Sequence, residues 1–127
     1  MLPDFLLPET VARQDGTGPA IGVGNAAGKA LLLTLGITRI IEQESLDIAV
    51  HVSADGQTWS ERPIITFPQK FYCGVYTLVL DLSANPEAKY LRVHWKMNRW
   101  GRGEPTPLFG FYVFVQEAGA MVARAVA

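Results

Sequence analysis

One cysteine, Cys73, occurs in 127 residues, so the fold has neither an intramolecular disulfide nor a cysteine-based zinc cluster to lean on. A lone thiol is expected to be a small buried apolar residue, in a chain kept in a reducing compartment or inside a particle. Charge is scarce as well: charged residues make up 18% of the chain, against roughly 25% in an ordinary soluble domain. The 11 basic and 12 acidic residues leave a net charge of −1, without the cationic excess that holds polyphosphate, and no nucleic-acid partner is expected. Asn-x-Ser/Thr acceptors are missing. The opening "MLPDFLLPET" lacks the basic and continuous apolar segments of an export signal, which favours a cytoplasmic or particle-associated location over a secreted one. The longest apolar run, "ALLLTLGI", is far too short for a membrane span, so membrane insertion is not expected.

What is abundant is apolar surface, at 49% hydrophobic residues with 10% aromatics. A single domain of this length buries enough of it to fold unaided. The surplus requires either an unusually complete core or a surface covered by other copies or a partner.

Residues 1–28 carry Pro3, Pro8 and Pro19 with five glycines and no sustained period, and they read as an extended arm. Its Phe5, Leu6 and Leu7 are out of place in a solvated tail and are expected to dock on this domain or on a neighbouring subunit. From Lys29 the pattern turns to strands. In "LDIAVHV", Leu46, Ile48, Val50 and Val52 alternate with Asp47, Ala49 and His51. In "VYTLVLDL", Tyr76, Leu78, Leu80 and Leu82 oppose Val75, Thr77, Val79 and Asp81, and "KYLRVHWKM" turns Leu91, Val93, Trp95 and Met97 inward. "PIITF" starts a strand at Pro63, while "TRIIEQES" fits a helical turn and an edge strand equally well. The last strand, "LFGFYVFVQE", is aromatic on both sides, which predicts a central position or a covered outer face. Short strands, turn-rich connections and almost no helical period predict an all-β, antiparallel, jelly-roll-like β-sandwich over 29–117, followed by a tail at 118–127.

Asp55-Gly56 in "HVSADGQTW" supplies a tight hairpin, and Trp59 just beyond it is expected to cap the end of the core. "AVHVSADGQTWSE", then "KYLRVHW" and "FGFYVFVQE", together resemble the discoidin-type, galactose-binding-like β-sandwich over about residues 46–117. Similar hairpins occur in β-sandwich domains of phage tail and decoration proteins. The resemblance implies the fold, and glycan binding as one possible use of it.

Chemistry is thin. His51 and His94 sit on the polar sides of their strands and are short of a third metal ligand. "GVGNAAGKA" has neither the spacing nor the Ser/Thr of a phosphate loop and reads as a hinge between arm and domain. With no convincing nucleophile, paired carboxylates or ligand cluster, neither an enzyme nor a cofactor is expected. The candidate binding loop is "WKMNRWGRGEPTPLF", where Lys96, Arg99 and Arg102 surround Trp95 and Trp100; Tyr72 in "FPQKFYCG" is its neighbour, together with Phe67 and Phe71. Such a loop offers aromatic faces and guanidinium donors to a sugar or to a partner's carboxylates, or else packs on itself. The resulting expectation is a non-catalytic structural protein, a virion, sheath or shell component. It would form homo-oligomers or join other structural subunits through its sandwich surfaces and its arm. The alternative is a carbohydrate-binding module.

Overall fold

The computed structural model describes residues 2–41, 43–100 and 106–118. Among the described residues, nine strands form two antiparallel sheets: β1 Asp4–Ala12, β2 Gly16–Thr17, β3 Ile21–Gly22, β4 Ala30–Ile40, β5 Glu44–Ser53, β6 Ile65–Thr66, β7 Gly74–Asp81, β8 Tyr90–Arg99 and β9 Phe109–Glu117. The first sheet runs β1-β9-β4-β7. The second runs β2-β8-β5-β6, with β3 also paired to β8. The protein is a β-sandwich.

Alternation places the core. Leu31, Leu33, Leu35 and Ile37 of β4 and Phe109, Phe111, Val113 and Val115 of β9 are buried, and they face Leu46, Ile48 and Val50 of β5 and Leu91 and Val93 of β8. β9 is central, between β1 and β4, as its two-sided aromatic pattern predicts. Trp95 turns inward, packing its ring edge-to-face on Phe111 at a centroid distance of 5.6 Å. The Trp95 indole N–H donates to the Gln14 carbonyl at 2.9 Å.

The leading segment is part of the sandwich. Residues 4–12 are the first strand of this chain's own sheet, pairing with β9 from Asp4 opposite Val115 to Ala12 opposite Phe109. Leu6 and Leu7 are buried in the common core, and Phe5 stays on the outer face. The register slips twice, between Phe5 and Leu7 and between Leu7 and Thr10. These irregularities let two consecutive leucines point inward and erase the two-residue period that would mark a strand. The glycine-rich stretch is likewise built in. Val23 and Ala26 are buried around a single 3-10 turn, Gly24–Ala26, and the Val23 N–H donates to the Lys89 carbonyl at 2.9 Å. A packed turn stands where a hinge was expected.

"TRIIEQES" resolves as the end of β4 and the beginning of β5, with Gln43 at φ 61° in the turn between the two sheets. "PIITF" contributes only the two residues of β6. Cys73 is exposed in the loop before β7 instead of buried, because that loop leaves the sandwich to cross from one sheet to the other.

Candidate functional site

The Asp55 loop is a self-contained turn. Ser53 Oγ accepts the N–H of Gly56 at 2.8 Å and that of Asp55 at 3.2 Å, and its hydroxyl donates to Asp55 Oδ1 at 2.9 Å. Asp55 Oδ1 also accepts the N–H groups of Gln57 and Thr58, each at 2.8 Å. The Thr58 N–H, then the Gln57 N–H and the Ser53 hydroxyl, favour the ionised carboxylate and lower its pKa to about 2. Gly56 at φ 80° supplies the one left-handed residue of the tip. Each of these bonds closes the loop on itself.

Trp59 does not cap the core. Its ring lies on the outer face of the second sheet with the Arg92 guanidinium 4.3 Å from its centroid. The short bridge of Trp59 to Ser53 sets the return segment alongside β5 at the sheet edge. On the same face His51 and His94 approach edge-to-face with centroids 6.2 Å apart. His51 Nδ1 meets the Ser60 carbonyl at 2.9 Å and His94 Nδ1 meets Thr17 Oγ1 at 3.0 Å. Among the described residues no group of three or more His, Cys, Asp or Glu side chains is arranged to hold a metal.

The expected aromatic and arginine platform divides. β8 continues to Arg99, so Trp95, Lys96 and Arg99 lie on a strand instead of a loop. Trp95 enters the core side, while Lys96 is exposed on the opposite face, across from Asp47. Arg102 lies outside the described residues. What does come together is Trp100 with Tyr72, joined by Phe71: ring centroids are 6.1 Å apart for Phe71 and Trp100 and 6.4 Å for Phe71 and Tyr72. With Ile40, Gln43 and Glu44 these rings line an open cleft of about 490 Å³ at one end of the sandwich. Arg99 stands beside it, across from Glu44 in the β5–β8 register.

Glu44 is the cleft residue that sequence reasoning missed. It is 1% exposed, and its carboxylate accepts the Ile41 N–H at 3.0 Å and the Leu108 N–H at 2.8 Å. It thereby ties the turn between the sheets to the start of β9, meeting the need of a buried charge for hydrogen-bond donors. Nothing in "IIEQES" separates a glutamate with that task from a solvated one. Tyr72 is held from below: the Tyr76 hydroxyl donates to its carbonyl at 3.2 Å, and Lys70 Nζ sits 3.9 Å from the centre of the Tyr76 ring.

The two outer faces differ sharply. That of the second sheet presents Asp47, His51, Arg92, His94, Lys96 and Asn98, a solvated pattern. That of the first presents Phe5 and Val11 from β1, Tyr112 and Phe114 from β9, Leu32, Thr34 and Gly36 from β4, and Val75, Thr77 and Val79 from β7. Charge is confined to its margins, at Glu9, Arg39 and Asp81. Phe5 packs edge-to-face on Phe114 and Tyr112, with centroids 5.0 and 6.0 Å away. Beside them Pro8, Glu9 and Thr34 complete a shallow apolar groove of about 520 Å³. The Tyr112 ring lies flat over Gly36, occupying the place a Cβ would take. Val75 and Val79 remain 66% and 47% exposed.

Compared with known proteins, the chain matches no family model, and no curated protein is significantly similar to it.

Proposed function

We propose that this chain is a non-catalytic structural subunit that assembles with itself, as a component of a shell, sheath or virion. The observation that carries the reading is the largely apolar, aromatic outer face of the first sheet, with charge only at its margins, set against the charged outer face of the second. A sheet face exposed to water normally alternates to polar side chains, and a contiguous apolar face marks a contact surface. Sealing one of these half-exposed valine or phenylalanine side chains contributes on the order of 1 kcal/mol, so several together favour association. Because Leu6 and Leu7 serve this chain's own core, the assembling surface in this reading is the sheet face and not an exchanged arm. Light scattering on the full chain tests it: wild-type protein is expected to exceed the mass of one chain at micromolar concentration, and Phe5→Lys to shift it towards smaller species. A variant with unchanged mass would remove this face from the interface.

A second reading rests on the cleft of Phe71, Tyr72 and Trp100. Exposed rings at the end of a galactose-binding-like sandwich suit the apolar face of a sugar, and a carbohydrate-binding module would use them. It requires saturable glycan binding that Trp100→Ala abolishes while thermal unfolding is unchanged. Binding that persists in that variant would place the glycan elsewhere.

A further inference from the structure

We propose that β7 is an open edge that pairs antiparallel with β7 of a second copy, joining two first sheets into one continuous sheet across a two-fold axis. The proposal rests on the reading of the chain as a self-assembling subunit and names one of its contacts.

The four sheet edges are not alike. At one edge of the second sheet β2 and β3 have two residues each, with Pro19 between them; at the other β6 has two residues, flanked by Pro63 and Pro68. β1, at one edge of the first sheet, carries Pro8, Asp4, Glu9 and two register slips. Shortness, proline, bulges and charge are the devices by which edges avoid pairing with other chains. β7 has none of them over most of its length. It runs eight residues, "GVYTLVLD", in unbroken register with β4 from Ala30 opposite Asp81 to Ile37 opposite Gly74, and its one charge is at the very end.

Its main-chain groups are aimed outward in a regular array. The Leu82 N–H donates to the Lys29 carbonyl at 3.0 Å, so Leu82 and, by alternation, Leu80, Leu78 and Tyr76 direct their main-chain groups at β4. Val75, Thr77, Val79 and Asp81 therefore direct theirs away from it, and among the described residues β7 has no further strand beside it in the sheet. Water satisfies such a row in a single chain, but its regular array is also a template for another extended strand, and the sequence suits a copy of itself. A two-fold axis at Leu78 sets Thr77 opposite Val79 of the second copy and Val75 opposite its Asp81. Apolar and threonine side chains then meet on both faces, and the two Asp81 carboxylates lie at opposite ends of the joint, where like charges do not oppose each other. An isologous contact of this kind closes on itself and leaves the Phe5 and Phe114 face free for stacking.

Amide hydrogen exchange on the full wild-type chain, at concentrations above and below assembly, tests the pairing without any substitution. The N–H groups of Val75, Thr77 and Val79 are expected to slow at least tenfold on assembly, while those of Tyr76, Leu78 and Leu80 are protected at both concentrations. Thr77→Pro is expected to lower the assembled mass at least twofold, because it removes an outward N–H without touching the ladder to β4; Thr77→Val, which keeps that N–H, is expected to leave the mass unchanged. Fast exchange at Val75, Thr77 and Val79 in an assembled sample would overturn the β7 joint and leave self-assembly standing. A chain that stays single at every concentration would overturn both.

Discussion

The Asp55 carboxylate is held by the N–H groups of Thr58 and Gln57 and by the Ser53 hydroxyl, and it titrates at about 2 instead of 3.8. A group whose folded pKa lies below its unfolded value stabilises the fold above the unfolded pKa and loses that contribution as the pH falls through the folded one. The loop is therefore expected to stay ordered down to about pH 4 and to loosen between there and about 2. A carbon-detected NMR titration of the side chain should show a midpoint near 2, and a midpoint at the ordinary value would mean that the three bonds do not form. The turn itself was legible, since Asp55-Gly56 stops an alternating run. The place of Trp59 was not: a ring beyond a loop goes where the loop sends it, and here it lies over Arg92. For Trp95, alternation along β8 pointed inward while its charged neighbours suggested a binding loop, and alternation prevailed because Gln14 and Phe111 accommodate the ring.

At the scale of elements, strands that alternate cleanly were readable. β5, β7 and β8 have the inward faces that their sequences state, and β9 is central. β1 was hidden by its register slips and by Pro8, which suits an edge position and disguises the strand at once. The candidate cleft was half legible. Tyr72 and Trp100 line it, but Glu44 owes its importance to the N–H of Leu108, 64 positions away, a relation no local pattern carries. Most connections cross from one sheet to the other, so nearly every strand pairs with a distant partner. If β1 is integral to the core, Leu6→Ala should cost about 2–5 kcal/mol in chemical denaturation. A change within about 0.5 kcal/mol, ordinary for a surface site, would mark residues 4–12 as a detachable arm after all.

For the molecule as a whole, the low charge and high apolar content read from composition find a physical location. The core takes one set of side chains, and the remainder gathers on the outer face of the first sheet, from Phe5 across Phe114 to Val79. Composition alone stated the surplus but not its address, because inner and outer faces of an apolar sheet look alike in sequence. The proposed assembly follows from that asymmetry, and mass in solution addresses it most directly. Sedimentation equilibrium of the full chain, from nanomolar to tens of micromolar, is expected to show a weight-average mass that climbs from one chain to two or more. A mass fixed at one chain throughout that range, from a folded sample, would contradict it.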